Sequence, residues 1–146
     1  MKNWSMRRKL YMYPTLLKEL PELDDQIRME RERIHASYEG APPVLSGMPG
    51  GKGSPGDPCG STVVNQVLPG WERYEALLDR RWEKGKLVTD VETYLDSLDA
   101  LELAIIKLRY FSRFSWPDIC KTEYISEATA HRIHEAAKQK CKVESF

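Results

Sequence analysis

The chain has 146 residues, of which 41% are hydrophobic and 30% are charged. This length suits one compact domain, or a small domain with an extended accessory element, and the apolar content is enough to form a core. The 22 Lys and Arg residues are balanced by 22 Asp and Glu residues. The overall charge therefore excludes a globally basic nucleic-acid-binding protein, and any such interface must depend on local charge.

The cysteines and the N-terminus indicate a cellular compartment. Cys59, Cys120 and Cys141 are odd in number and widely spaced, which predicts reduced thiols rather than a disulfide framework. Arg7, Arg8 and Lys9 are followed by no apolar run typical of a signal peptide, and no segment approaches the ~20 apolar residues that span a bilayer. We therefore expect a cytoplasmic protein without a membrane partner.

Residues 1–38 are predicted to be mostly helical. Pro21 interrupts their pattern, so the regular part of the helix is expected to begin there, because proline is tolerated in a first helical turn. Apolar residues recur at spacings of three, four and seven, with charged residues between them: Leu16, Leu17, Leu20, Leu23, Ile27 and Ile34.

Residues 39–62 are dominated by Gly and Pro and show no hydrophobic period. Neither a helix nor a strand persists through such a composition, so the segment is predicted to be a flexible connector. Its Gly-Gly-Lys-Gly-Ser stretch at 50–54 resembles a phosphate-binding loop only superficially, because the required spacing and a preceding strand are both missing.

Residues 63–98 are predicted to form a second long helix. Pro69 and Gly70 should interrupt its start, so that its regular part begins at Trp71, and Gly85 should weaken it further. Its apolar residues follow a rhythm close to seven: Val64, Val67, Trp71, Tyr74, Leu78, Val88, Val91, Leu95 and Leu98.

Two amphipathic helices on either side of a connector predict an antiparallel hairpin or a coiled-coil oligomerisation element. The alternative is that both helices cover the core of the C-terminal region. The hairpin is slightly favoured, and it makes a homo-oligomer the expected assembly.

The segment after residue 98 predicts a first short helix. Asp99 is expected to cap it in a capping box with Glu102, and Ser112, Arg113 and Phe114 are expected to form the turn that follows. Its apolar stripe is predicted to be Leu101, Ala104, Ile105, Leu108 and Phe111.

Two further helices are predicted from their caps. Ser115 should cap a helix that ends around Thr122, and Ser126 should cap another that runs to about Cys141. The inner stripe of the latter helix is predicted to be Ala130, Ile133, Ala137 and Cys141. A short helix, a turn of three to four residues and a capped second helix form the helix-turn-helix plan, in which the second helix enters the major groove of DNA.

The predicted DNA-binding residues lie on that last helix. Arg132 can hydrogen-bond guanine in a bidentate manner, Thr129 and His131 can contact bases or phosphates, and Lys138 can contact the backbone. Between residues 107 and 142, eight Lys or Arg residues face four Asp or Glu residues, a modest excess that favours specific binding aided by oligomerisation. The outward side near the start of this helix carries Glu127, Ala128, Thr129, His131 and Arg132.

Neither an enzyme nor a cofactor is expected. No histidine has a nucleophile or paired carboxylates at meaningful spacing. A zinc site from Cys120, His131, His134 and Cys141 is disfavoured, because the spacing matches no structural zinc pattern and His131 should point away from the cysteines.

The C-terminal third resembles the fourth conserved region of bacterial sigma factors, a region that contains a promoter-binding helix-turn-helix. The resemblance rests on Leu-Arg-Tyr at 108–110, Ser-Trp-Pro-Asp-Ile-Cys at 115–120 and Ile-Ser at 125–126. In this chain Cys120 replaces the usual alanine of the short helix, a tolerable change because cysteine packs as a small hydrophobe.

Over nearly its full length the chain is similar to the ArpU/RinA-type late transcriptional regulators of phages that infect Gram-positive bacteria. Ser-Gly-Met-Pro at 46–49 matches their loop, and Arg-Ile-His at 132–134 followed by Ala137 matches the end of their recognition helix. Pro69-Gly70 departs from their uninterrupted second helix. The resemblance implies an activator of late genes in the host cytoplasm, without enzymatic activity, with Glu127, Ala128, His131 and Arg132 facing DNA.

Together these observations predict an all-α protein in which a long-helix hairpin, interrupted by a Gly/Pro loop, joins a sigma-like helix-turn-helix domain. The expected segments are 1–38, 39–62, 63–98 and 99–146. The expected partners are promoter DNA, further copies of the chain and host RNA polymerase. Two alternatives are a small terminase subunit of a phage and a sigma-like protein that binds RNA polymerase instead of DNA.

Overall fold

The computed structural model describes residues 3–39, 68–141 and 146. The elements in these ranges are all helical, which confirms the all-α fold class. They are α1 Met6–Glu39, α2 Leu68–Asp96, α3 Ala100–Ile106, a π-helical turn Lys107–Phe111 that continues α3, α4 Trp116–Glu123 and α5 Glu127–Gln139. The predicted Gly/Pro connector lies outside the described residues from position 40 onward.

Helix α1 is continuous through two prolines. We expected the regular helix to begin at Pro21, and this is wrong, because α1 already starts at Met6 and includes both Pro14 and Pro21. A proline inside a helix removes one backbone hydrogen bond and costs about 3 kcal/mol. Leu10, Leu16 and Leu23, which lie before, between and after the two prolines, are buried. Tertiary packing of this kind supplies most of the stability of a helix in a protein.

The regular part of α2 begins earlier than the predicted Trp71. Its first residue is Leu68, so Pro69 stands in the first turn, where the missing amide hydrogen costs little. Gly70 is buried, and a Cβ atom there would lie 3.4 Å from Cγ1 of Ile34, an ordinary van der Waals contact. Gly70 therefore packs against α1, and the Pro-Gly pair does not interrupt α2.

The described helices form two compact units, each with parts of both long helices. In the hairpin unit, Pro21–Trp82, Arg73 pairs with Glu30 at 3.1 Å and Arg81 pairs with Asp24 at 2.8 Å. The partner numbers in α1 fall as those in α2 rise, so the two helices run antiparallel in this unit, as predicted for a hairpin.

The second unit, here called the C-terminal unit, combines Met1–Leu20 with Glu83–Phe146. Lys9 is buried and its Nζ donates to Asp90 at 2.9 Å, so α1 also lies against α2 here. The buried core draws on four helices and the π-helical turn: Met6, Leu10, Val91, Tyr94, Leu95, Ile106, Tyr110 and Ala137. The first turns of α1 thus share one core with the short C-terminal helices. This agrees with the alternative prediction, in which the long helices cover the core of the C-terminal region.

Of the apolar stripe predicted for α3, Ile105 alone is fully buried. Asp99 precedes α3 but its side chain makes no capping hydrogen bond, so the capping box is wrong. Glu102 is buried instead, and its Oε1 accepts a hydrogen bond from Nζ of Lys140 at 2.9 Å. Leu101, which was placed in the apolar stripe, is exposed. The buried side of α3 and its π-helical extension consists of Glu102, Ile105, Ile106 and Tyr110.

Helix α5 packs through His134, a residue that the sequence pattern did not place inside. Ala130, His134 and Ala137 are buried, whereas the predicted Ile133 is only half-buried. Nε2 of His134 lies 2.8 Å from the hydroxyl of Tyr110, and this hydrogen bond is buried. Burial, followed by the nearby Lys138 ammonium, lowers the pKa of His134 from 6.5 to about 4, so the ring is neutral at physiological pH.

None of the helices in the described ranges is both long enough and apolar enough to cross a lipid bilayer.

We expect His134 to make the fold sensitive to mild acid. Because the pKa of His134 is lowered on folding, the unfolded chain binds a proton between about pH 6.5 and pH 4 that the folded chain does not. Stability is therefore complete above pH 6.5 and falls as the pH approaches 4. In urea unfolding at pH 7 and pH 4.5, the wild type should lose about 2 kcal/mol more than His134→Gln, which keeps a hydrogen-bonding group but does not titrate. Equal losses in the two proteins would contradict this role for His134.

Candidate nucleic-acid interface

Helix α4 has a well-defined start and end. The Ser115 Oγ accepts a hydrogen bond from the backbone N–H of Asp118 at 3.4 Å and donates to its carboxylate at 2.7 Å. Pro117 stands in the first turn, where it replaces an amide that the helix does not use. The helix ends at Glu123, one residue beyond the prediction, and Tyr124 follows in the left-handed conformation.

Ser126 caps α5, as predicted. Its Oγ accepts a hydrogen bond from the backbone N–H of Thr129 at 3.2 Å, and the two side-chain hydroxyls lie 2.8 Å apart. Thr129 is half-buried. Its hydroxyl is therefore part of the cap that fixes the first turn of α5.

The first turns of α5 present an exposed side. Glu127, Ala128, His131 and Arg132 are all exposed. Arg132 forms no hydrogen bond or ion pair with another residue of the described ranges, so its five donors are available to a ligand. This side of α5 combines a cation, an acid and a methyl group within six residues.

Lys138 stands apart from those four residues. It is half-buried, its Nζ donates to Glu135 at 2.9 Å and lies 5.7 Å from the centre of the Phe146 ring. The hydrogen bond from Lys138 lowers the pKa of Glu135. Two of the six predicted DNA-binding residues, Lys138 and Thr129, are thus half-buried. The polar groups of both already have partners within the chain.

Sequence reasoning missed two residues near His131, namely Trp116, which contacts its ring, and Arg109, which contacts Trp116. The ring of Trp116 lies 4.2 Å from the ring of His131, and the guanidinium of Arg109 lies 5.1 Å from the centre of the Trp116 ring. Arg109 Nη1 also donates to the carbonyl oxygen of Phe114 at 3.0 Å. Nothing in the local sequence pattern distinguishes a core tryptophan from one that, like Trp116, contacts a surface side chain.

His131 also approaches an acid on its own helix. Its Nε2 lies 3.6 Å from Oε1 of Glu127, one helical turn earlier. The ring is therefore positioned between Trp116 and Glu127 while its side chain stays about half exposed. Such an arrangement orders a side chain before a ligand arrives, which reduces the entropy lost on binding.

Metal binding finds no support in the part of the chain that the structure describes. No group of three His, Cys, Asp or Glu side chains there could hold a metal ion. Cys120 and Cys141 are half-buried thiols, and Cys59 lies outside the described residues.

Comparison with models of known protein families, with curated proteins and with solved structures gave no match.

The cap at Ser126 gives a test of how α5 is held. Ser126→Ala removes the acceptor for the Thr129 amide, and loss of such a cap typically costs about 1 kcal/mol of the free energy of unfolding. Ser126→Asp restores an acceptor and adds a favourable charge at the helix N-terminus. Urea denaturation should show the loss in Ser126→Ala and near wild-type stability in Ser126→Asp. A wild-type midpoint for Ser126→Ala would show that the cap does not stabilise α5.

Proposed function

We propose that the chain is a sequence-specific DNA-binding regulator of transcription that activates late genes of a phage in the cytoplasm of its bacterial host. The observation that carries the proposal is the exposed N-terminal side of α5, where Arg132 has no partner among the described residues. That side belongs to a capped helix which follows a shorter capped helix and a turn. Helix-turn-helix proteins bind DNA through this order of elements.

In the proposed complex, α5 enters the major groove with its first turns against the base edges. Arg132 donates two hydrogen bonds to a guanine, and the methyl group of Ala128 contacts a thymine methyl. The Glu127 carboxylate accepts a hydrogen bond from the exocyclic amine of a cytosine. An acid in this position therefore contributes to specificity, although its negative charge disfavours non-specific binding to DNA. His131, already held by Trp116, donates to a base or a phosphate. Lys138 contacts the DNA backbone after leaving Glu135.

The local charge supports a protein that binds as more than one copy. The excess of four basic residues between positions 107 and 142 gives weak non-specific attraction to DNA, and linked copies raise the overall affinity without new contacts. In the hairpin unit, Trp71, Leu78 and Trp82 recur on α2 at spacings of seven and four and are exposed. Tryptophan is enriched in the centres of protein interfaces. We therefore place the contact between copies on this side of α2.

The assembly can be tested by measuring the mass of the purified protein with multi-angle light scattering. We expect a small oligomer for the wild type and a monomer for Leu78→Glu, because a carboxylate at that position opposes burial against a second copy. Ala76→Glu is the matched control: Ala76 is exposed on the same helix but about 200° away from Leu78 around its axis. A monomeric wild type would contradict the oligomer, and a large ring would favour a terminase subunit.

Arg132 tests the function itself. A duplex selected from a random DNA pool by the wild-type protein should bind Arg132→Ala more weakly by about 1–3 kcal/mol, because the bidentate contact with guanine is lost. Arg31→Ala, which removes an exposed arginine from α1, should bind the same duplex like the wild type. Circular dichroism should show unchanged helical content in both variants.

Two outcomes would contradict the proposal. In one, the pool yields no enriched sequence and the protein is retained by purified host RNA polymerase alone. In the other, the pool yields a sequence that Arg132→Ala binds as tightly as the wild type does.

A further inference from the structure

Two residues in turns of the C-terminal unit have a backbone conformation that is unfavourable for residues other than glycine. Arg113 has φ of 58° and Tyr124 has φ of 55°, and they are the two non-glycine residues with positive φ in the described ranges. Both follow the end of a helix: Arg113 comes after the π-helical turn and Tyr124 directly after α4. The two residues therefore stand on either side of α4.

The hydrogen bonds around them show why the conformation is left-handed. After Arg113, the N–H of Phe114 reaches back to the carbonyl oxygen of Leu108 at 2.9 Å. At Tyr124, the following N–H of Ile125 reaches the carbonyl oxygen of Cys120 at 3.2 Å. Helices commonly end in this way, and glycine is the usual residue because it has no Cβ to clash with the backbone.

Neither side chain compensates for that cost within the chain. Arg113 is exposed, and Tyr124 is 94% exposed. Neither side chain forms a hydrogen bond, an ion pair or a ring contact with another described residue. An arginine and a fully exposed tyrosine at two positions where glycine would be more stable indicate a contact outside the chain, since strained residues of this kind cluster at functional sites.

We propose that Arg113 and Tyr124 bind phosphates of the DNA backbone, one at each end of α4. The inference rests on the proposed DNA-binding function, in which the first helix of the pair crosses the backbone while α5 enters the groove. Residues at the two ends of a crossing helix lie beside the sugar-phosphate chain. The guanidinium of Arg113 and the phenol hydroxyl of Tyr124 are hydrogen-bond donors, and phosphate oxygens are acceptors that both groups commonly contact.

Phosphate contacts carry no sequence information, which separates these two residues from Arg132. We expect Arg113→Gly and Tyr124→Gly each to weaken binding about tenfold, both on the selected duplex and on an unrelated duplex of the same length. Arg113→Gly should also reduce the slope of log affinity against log salt by about one, because one fewer counterion is released. Tyr124→Phe should lose as much affinity as Tyr124→Gly, since it lacks the hydroxyl, and should leave the salt slope unchanged.

Thermal unfolding separates a binding role from a structural one. Glycine relieves the strain at both positions, so the melting temperatures of the two glycine variants should equal or exceed that of the wild type. Arg113→Lys keeps the charge and should restore the salt slope. Tyr38→Phe is the matched control for an exposed tyrosine elsewhere in the chain and should bind like the wild type.

The outcomes distinguish this inference from the function on which it rests. If the wild type binds its selected duplex and the glycine variants bind equally well, Arg113 and Tyr124 do not contact DNA, while the regulator proposal stands. Lower melting temperatures in the glycine variants would also overturn the inference, because the side chains would then serve the fold. If the wild type binds no duplex at all, both proposals fail.

Discussion

The buried hydrogen bond between Tyr110 and His134 fixes the rotation of α5 about its axis. Tyr110 belongs to the π-helical turn and His134 to the inner side of α5, and the bond joins them at 2.8 Å. Arg132 is two residues from His134, which corresponds to about 200° around an α-helix. Burial of the imidazole therefore directs the Arg132 guanidinium into solvent. A polar core contact thus decides which side chains α5 can offer to a ligand.

Aromatic contacts with the π-helical turn hold the first turns of α1 in the C-terminal unit. The ring of Tyr11 meets the ring of Tyr110 edge to face at 4.9 Å, and Tyr13 stacks on Phe111 at 4.9 Å. Aromatic contacts of this geometry add to the stability gained from burial. Tyr94 closes the core from α2, since its hydroxyl donates to the carbonyl oxygen of Ala137 at 2.7 Å. The short helices are therefore supported by both long helices and do not form a separate core of their own.

Local signals in the sequence predicted two of the three expected helix caps, whereas Asp99, the third, makes no capping hydrogen bond. Ser115 and Ser126 were identified as caps, because a hydroxyl before a helix satisfies its unpaired amides wherever the helix packs. The buried sides were harder to predict. Glu102 is inside because Lys140, 38 residues later in the chain, supplies its ion pair, and a carboxylate is ordinarily assigned to the surface. His134 was not predicted to be buried for a similar reason, because its partner Tyr110 is distant in sequence.

The strained backbone at the two ends of α4 could not be predicted from the sequence. Glycine or asparagine after a helix predicts a left-handed residue, but Arg113 and Tyr124 carry no such signal. The residues that sequence reasoning placed at the interface are those with an obvious base-contacting chemistry, above all Arg132. Supporting groups such as Trp116 and Arg109, and the strained residues at both ends of α4, appear only once the helices are in position.

The balance of charge on this surface suggests how affinity and specificity are divided in the proposed complex. Glu127 lies close to His131 and places a negative charge near the start of α5, so the helix proposed to enter the groove has little general attraction for DNA. Discrimination between sequences then depends on Arg132 and its neighbours, whose contacts are to base edges. Affinity has to come from elsewhere, because modest local charge gives weak non-specific binding. Phosphate contacts at the ends of α4 and a second copy joined through α2 are two sources that raise affinity without altering which bases α5 selects.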